Sequence, residues 1–265
     1  MAAQALSTEA VLELMQSVAA EVITPRFRTL SSSQIGEKKP GDLVTVADHE
    51  AEELITRVLL DAYPDAVVLG EEAHAGQPDL MPRFREADHG FTVDPVDGTK
   101  NFVHGSPDHA VMVAEVVRGE TVRGWIWQPE HETAWVAEHG GGVRRNGEPI
   151  HRTPAGDQPQ GATSIWSRRG RQPEGLPALV GSWICCGVDY PKLIEGAADY
   201  LLYGHTNPWD HLPGTLMVRE AGGAAAHRDG TPYDARSGGA GLIVASDPDT
   251  LETARAASEG LWPKR

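Results

Sequence analysis

The chain is poor in cysteine, in long apolar runs and in positive charge. Its only two cysteines among 265 residues, Cys185 and Cys186, are adjacent. Neighbouring cysteines seldom reach acceptable disulfide geometry, and two thiols alone make a poor zinc site. A chain of this length buries enough core to fold without cross-links or a structural metal. Such cysteine usage suits a reducing compartment, so a cytoplasmic location is expected. No apolar run approaches the roughly 20 residues of a membrane span, and no basic stretch precedes the apolar residues of MAAQALSTEAVLELM at the N-terminus. Neither a membrane association nor a secretory signal is expected. The 23 Lys and Arg are outnumbered by 38 Asp and Glu, giving a formal net charge of -15. That balance disfavours nucleic acid as a partner. It suits an anionic substrate only where bound cations reverse the sign locally. The plainer reading of most of this charge is a solubilising surface.

What is present reads as alternating α and β segments. Val11, Leu14, Met15, Val18 and Val22 recur at helical spacing after Ser7 or Thr8, predicting a helix over residues 7–30. Residues 31–42 are polar, with Gly and Pro, and read as a loop. A second helix is expected from near Asp48 to Ala62, ended by Pro64. Val67-Val68-Leu69 is a short strand running into Gly70-Glu71-Glu72, and residues 73–90 read as a polar loop. Phe91-Thr92-Val93 is a strand ending at Asp94. Residues 109–118, 121–128 and 133–137 then form a meander, followed by a turn-rich stretch with Asn146-Gly147. Residues 151–178 are dense in Pro, Gly, Gln and Arg, and the boundary between two halves, 1–153 and 154–265, is placed there. Beyond it, Tyr190–Gly196 and Asp210–Ala221 read as helices, and Tyr200–Tyr203 and Leu242–Ser246 as strands. The whole is a mixed α/β layer structure.

Carboxylates fall where strands and helices begin or end. Glu71 and Glu72 follow one strand, Asp94-Pro95-Val96-Asp97-Gly98-Thr99 follows the next, Asp48 closes Asp42–Asp48, and Asp210 follows Trp209 at a helix start. Rigid scaffolds commonly place functional groups at such points. Converging carboxylates repel one another unless cations neutralise them or protons are taken up. Oxygen donors without His or Cys spacing favour magnesium or manganese over zinc. Pro95 stiffens the turn, Gly98 permits close approach, and the amides near Gly98, Thr99 and Lys100 suit a phosphate. Taken alone, Asp-Pro-Val-Asp-Gly reads equally well as a surface turn, because these residues form turns anyway.

The full set is more specific. Gly70-Glu71-Glu72, then Asp94-Pro95-Val96-Asp97-Gly98-Thr99-Lys100-Asn101-Phe102, then Pro208-Trp209-Asp210 with Arg219-Glu220-Ala221-Gly222-Gly223, resembles the inositol monophosphatase family in order and spacing. Asp42–Asp48 and Gly140-Gly141-Gly142 to Asn146-Gly147 resemble it too, over roughly residues 5–245. The resemblance implies a layered αβαβα sandwich and a phosphomonoesterase with two or three Mg2+ ions, Mn2+ being an alternative. It implies that Glu71, Asp94 and the Val96 carbonyl hold one ion, and that Asp94, Asp97 and Asp210 hold a second. Asp48 and Glu71 would serve a third ion or the attacking water, which Thr99 would help orient. Gly98, Thr99, Lys100, Cys186, Tyr203 and Asp210 would meet the substrate, a small phosphorylated compound. Homodimers are common in the family, although no stripe in this sequence points to one.

Several departures bear on the substrate. Ile184-Cys185-Cys186-Gly187 stands where the family usually has Gly-Ser-Ala-Ala. Tyr203 replaces the glutamate that inositol-specific members carry seven residues before the Trp-Asp aspartate. Lys100 replaces a threonine and is familiar in relatives acting on histidinol phosphate or nucleotide phosphates. It meets either a phosphate or solvent. Inositol 1-phosphate is the default substrate. Histidinol phosphate, fructose 1,6-bisphosphate and a 3′-phosphoadenosine compound are the alternatives, and a non-catalytic binding protein is a remote one. Glu72, Trp209, His104, His109 and His211 read as structural neighbours of the motifs. Cys185 and Cys186 read as small buried hydrophobes, and Arg168-Arg169-Gly170-Arg171 as a solvated loop or a phosphate-steering one.

Overall fold

The computed structural model describes residues 5–262, so the outermost residues of the two expected halves, 1–4 and 263–265, lie outside the described residues. The chain opens with α1 (Thr8–Val18), capped by the Ser7 hydroxyl, which accepts from the Ala10 amide at 3.1 Å. A hairpin follows, β1 (Ile35–Lys39) with β2 (Asp42–Thr45), then α2 (Val46–Ala62), β3 (Val67–Gly70), α3 (Glu71–Gly76), α4 (Leu80–Glu86), β4 (His89–Asp97) and α5 (Thr99–Val103). The meander is β5 (Ala110–Val117), β6 (Glu120–Gln128), β7 (Thr133–Glu138), β8 (Gly142–Arg145) and β9 (Glu148–Ile150). The remainder is β10 (Gly161–Thr163), β11 (Val180–Gly181), α6 (Cys186–Glu195), β12 (Tyr200–Tyr203), α7 (Pro208–Glu220), β13 (Ala224–His227), β14 (Leu242–Ala245) and α8 (Pro248–Ala257).

Besides the two-stranded β1-β2 hairpin, the described residues form two larger sheets, one of seven strands in the order β3-β4-β5-β6-β7-β8-β9 and one of five in the order β11-β10-β12-β14-β13. Alternate side chains of the central strands point to opposite faces, and both faces are covered. Val111 and Val113 of β5 pack with Val11, Met15, Ile55 and Leu59 from α1 and α2. Met112 and Ala114 pack the other way, with Tyr190, Leu212 and Leu216 from α6 and α7, in a core shared with Leu242 and Val244 of the second sheet. Leu251 and Ala254 of α8 close the outer face of that second sheet over Leu202 and Ile243. The layers therefore run helix, sheet, helix, sheet, helix. Burial on both sides explains why β5 is apolar almost throughout rather than alternating.

Several local expectations change. The first helix does not run regularly to residue 30: after Val18 it widens to a π turn and tightens to a 3-10 turn at Thr24–Arg26, where Pro25 removes an amide donor. The stretch expected as a loop over 31–42 contains β1. The polar segment 73–90 contains the rest of α3 and all of α4, held by only a few apolar anchors such as Leu80 and Phe84. The Phe91–Val93 strand extends through Asp97, and the helix expected from Tyr190 begins at Cys186. Among the described residues no helix is long and apolar enough to cross a membrane.

Candidate metal and phosphate site

The site forms where β3, β4, α2 and α7 meet. β4 pairs with β5 in regular register up to Asp94, opposite Met112, but Asp97 lies opposite Ala110, so one extra residue is accommodated between them. Pro95, which has no amide to offer the ladder, sits in this bulge. The irregularity brings Asp94, Val96 and Asp97 to the sheet end together. Gly98 then turns with φ +81°, and a Cβ there would lie 3.0 Å from the Asp108 carbonyl oxygen and 3.0 Å from Cys185 Cβ. Both the left-handed backbone and the crowding require glycine.

Asp48 comes from the first turn of α2. Its Oδ2 accepts from the Thr45 amide at 2.8 Å and the Thr45 hydroxyl at 2.6 Å, closing a capping box at the helix start. Its Oδ1 faces Thr99 Oγ1 at 3.1 Å. Thr99 Oγ1 also lies 3.0 Å from the Val96 carbonyl oxygen, so one hydroxyl proton is shared between two acceptors. Asp210 enters from the first turn of α7, where Pro208 sets the start and Asn207 Nδ2 donates to Asp210 Oδ2 at 3.1 Å. A helix N-terminus favours this negative charge.

Asp94, Asp97 and Asp210 each present an oxygen, all within 4.8 Å of one another. The carboxyl groups of Glu71 and Asp210 both face that of Asp94. Asp94 is 1% exposed, and its Oδ1 is buried with no hydrogen-bond partner. Burial, then the charges of Glu71, Asp97 and Asp210, pushes the Asp94 carboxyl well above its ordinary range. Asp210 is raised in the same way, by burial and then by Glu71 and Asp97. Asp97 is pushed up to about 6, chiefly by burial, while Cys185 and the Gly187 amide pull it back. Asp48 rises to about 7, again chiefly through burial. A cluster this reluctant to ionise, with an orphaned oxygen at its centre, fits a hard divalent cation.

A cleft of about 180 Å³ is lined by Glu71, Asp94, Val96, Asp97, Gly98, Thr99, Lys100 and Asp210, together with Asp42 and Leu43 of the hairpin. Lys100 is exposed at its edge. Asp48 is not part of this lining: it is fully buried and reaches the cleft residue Thr99 by a hydrogen bond. Tyr203 and Cys186 are absent from the lining. Tyr203 is 2% exposed and donates its hydroxyl to Asp189 Oδ2 at 3.2 Å. Cys186 is half-buried in the first turn of α6. His109 and His211 are interior residues, packed against Phe27 and Phe102 and against Tyr203 and Tyr190 respectively.

Lys38, Glu52, Asn101 and Cys185 also belong to the site, and sequence reasoning passed over their roles. Lys38 on β1 reaches Glu71 Oε1 at 2.6 Å and Glu72 Oε1 at 2.9 Å. Burial opposes its charge, but the two glutamates outweigh burial and hold the ammonium above its usual range. Nothing in a turn-rich stretch signals that a lysine there folds back onto an acid. Glu52 receives the amides of Glu72 and Ala73, both at 2.8 Å. Its position one helical turn after Asp48 was an available signal. Asn101 Nδ2 donates to the carbonyls of Asp108 at 2.8 Å and Trp183 at 2.9 Å, tying the Asp94–Asn101 segment to the entry of α6.

A layered sandwich that gathers acids from two strand ends and two helix starts around a small cleft has the architecture of a metal-dependent phosphatase. The profile of the inositol monophosphatase family matches residues 5–261. An inositol-1-monophosphatase of Mesorhizobium japonicum is 30% identical over 243 residues, 85% of this chain and 88% of that protein. A fructose-1,6-bisphosphatase/inositol-1-monophosphatase of Thermotoga maritima is 30% identical, covering 76% of this chain and 78% of its own length. Among solved structures, the Thermotoga maritima IMPase superposes with a TM-score of 0.78 at 25% identity, covering 94% of this chain and 96% of that one. The extragenic suppressor protein SuhB of Bartonella henselae gives 0.76 at 26% identity, over 95% and 99% of the two chains. The chain belongs to the inositol monophosphatase family, a family of metal-dependent phosphoric monoester hydrolases acting on small phosphorylated substrates.

Proposed function

We propose that this protein is a Mg2+-dependent phosphomonoesterase whose default substrate is a small polyol or sugar phosphate such as inositol 1-phosphate. The observation that carries this reading is the Asp94–Asp97–Asp210 cluster, with its partnerless Asp94 Oδ1. In this reading Glu71, Asp94 and the Val96 carbonyl hold one ion, and Asp94, Asp97 and Asp210 hold another. When bound, the ions supply charge neutralisation and Lewis acidity toward the phosphate and its nucleophile. Asp48 orients the Thr99 hydroxyl, which positions the water that attacks phosphorus. The amides around Gly98, Thr99 and Lys100 receive phosphate oxygens, and the Lys100 ammonium adds charge at the cleft edge. Two halves divided near residue 153 would contribute unequally, the first carrying most of the acids and the second Asp210.

A second reading keeps the chemistry and changes the leaving group. It rests on Tyr203: where inositol-specific relatives place a glutamate, this chain buries a phenol committed to Asp189. Histidinol phosphate, fructose 1,6-bisphosphate and a 3′-phosphoadenosine compound are the candidates. Phosphate release from these esters and inositol 1-phosphate, at equal concentration with and without Mg2+, separates the readings. Asp97→Asn is expected to lose at least about a hundredfold in rate. Absence of Mg2+-dependent release from every ester, or near-normal turnover in that variant, contradicts the proposal.

A further inference from the structure

Cys185 has a task that its identity as a small buried side chain does not suggest. It is the residue before the first turn of α6, with its thiol 3.0 Å from Asp97 Oδ2. The Gly187 amide donates to the same oxygen at 2.5 Å. Two donors from one helix entry thus converge on one carboxylate oxygen. The thiol is the donor of its contact, because an ionised carboxylate only accepts.

The surrounding backbone is shaped to make this contact. Ile184, a β-branched residue, has φ +62° and is 44% exposed, so its unfavourable conformation is not the consequence of packing its own side chain. Strain of this kind persists where neighbours over-determine it. Asn101 holds the Trp183 carbonyl from one side, and Asp189 Oδ1 receives the Trp183 amide at 2.7 Å from the other. Gly187 cannot carry a side chain, because a Cβ would lie 2.5 Å from that of Ala110. The absence of a Cβ lets the α6 entry press against the start of β5, beside Asp97 at the end of β4.

We infer that Cys185 is a positioning residue for Asp97: with Gly187 it commits Oδ2 to protein donors and leaves Oδ1 as the oxygen that faces a cation. The inference rests on the proposed role of Asp97 as a metal ligand. A carboxylate fixed in this way loses little rotamer freedom on binding a cation, whereas a carboxylate released from its outer partner must be ordered anew. Cys185 therefore acts on the metal requirement and not on the substrate directly.

The test uses the full chain, its Cys185→Ala and Cys185→Ser variants, and Mg2+ alone as the probe. Mg2+ affinity is measured by calorimetry, and the Mg2+ dependence of phosphate release is measured beside it. Cys185→Ala is expected to need about tenfold more Mg2+ for half-saturation, the lower end for loss of a ligand's outer partner because a thiol is a weak donor. Saturating Mg2+ recovers kcat, and KM for substrate at saturation stays unchanged. Cys185→Ser, which keeps a donor, holds its Mg2+ affinity within about threefold of the parent. A folded Cys185→Ala protein with parental affinity overturns the inference, as does an equal loss in both variants. If Cys185→Ala does not fold, Cys185→Ser decides alone, and a tenfold loss there is the contrary result. A parent protein that binds no Mg2+ removes the metal reading itself and the inference with it. Parental binding with an indifferent Cys185 removes only the inference.

Discussion

The Glu52 carboxyl group occupies the space that a side chain on Gly70 would need: a Cβ there would lie 2.2 Å from Glu52 Cδ and 2.3 Å from Oε1. From that position Glu52 receives the first free amides of α3, those of Glu72 and Ala73. One helix, α2, thereby sets two parts of the site, Thr99 through Asp48 and the Gly70-Glu71-Glu72 turn through Glu52. Burial raises the Glu52 carboxyl to about 7, while the two amides pull it down. The glycine before the paired glutamates is a packing requirement of Glu52.

Gly70→Ala should therefore displace Glu52 and lose its amide contacts, lowering stability by at least about 2 kcal/mol in a urea titration. Phosphate release should fall with it, because Glu71 rides on the same turn. The two sites are coupled, so Gly70→Ala with Glu52→Ala should be no less stable than Glu52→Ala alone. Additive losses would show that the clash is not the cause.

Thr99 offers one proton between Asp48 Oδ1 and the Val96 carbonyl. Thr99→Val keeps the shape and removes the hydroxyl. It is expected to lower kcat by at least about a hundredfold, the scale for loss of a positioned proton-handling group. Thermal stability should move little, since one net hydrogen bond contributes about 1 kcal/mol. Thr99→Ser should keep most of the activity. A Thr99→Val enzyme with parental kcat would remove the hydroxyl from the reaction.

Some of this was legible in the sequence. Asp94, Asp97 and Asp210 were readable because each abuts a recognisable stop or start: the end of an apolar run, a Pro-Gly turn, a Pro-Trp helix entry. The layered α/β class was readable from apolar periodicity. The hairpin over Ile35–Thr45 was not, because its burial alternates weakly and its polar residues resemble a loop. α3 and α4 hid in a polar stretch for the same reason: short helices with few core residues carry little periodic signal. Lys38 and Glu71 are 33 residues apart, and no local pattern encodes their pairing. The resemblance places Tyr203 at a substrate contact, whereas the structure buries it with its hydroxyl on Asp189 of the neighbouring helix.

The Lys38 ammonium stands among acids that the proposed cations also seek. Its contacts with Glu71 and Glu72 are mostly sheltered, the side chains being 16%, 20% and 3% exposed. Removing it with Lys38→Met should destabilise the metal-free protein by about 1–3 kcal/mol, between the values for exposed and for fully buried pairs. The same change removes a competitor for Glu71, so Mg2+ should raise Tm more in the variant than in the parent. Thermal unfolding with chelator and with Mg2+ measures both effects. An equal Mg2+ increment in the two proteins would mean that lysine and cation do not share Glu71.

His109 gives the pH response a defined sign. It is fully buried between Phe27 and Phe102, with ring centroids at 5.0 and 4.9 Å, and its Nε2 has no partner. Burial lowers its pKa from 6.5 to about 4. Between these values the unfolded chain takes up a proton that the folded chain refuses. The contribution of His109 to stability is thus complete above pH 6.5 and is lost as pH falls toward 4. The slope approaches about 1.4 kcal/mol per pH unit, a total on the order of 3 kcal/mol. His211, buried and lowered to about 3, acts in the same direction, whereas the raised Asp189 acts in the opposite one. The parent's net acid profile therefore mixes signs, and the difference between parent and a His109 variant isolates one group. His109→Gln cannot titrate, so its stability deficit relative to the parent should shrink as urea midpoints are taken from pH 7 to pH 5. A deficit that stays constant or grows on acidification would show that the imidazole is protonated where it lies.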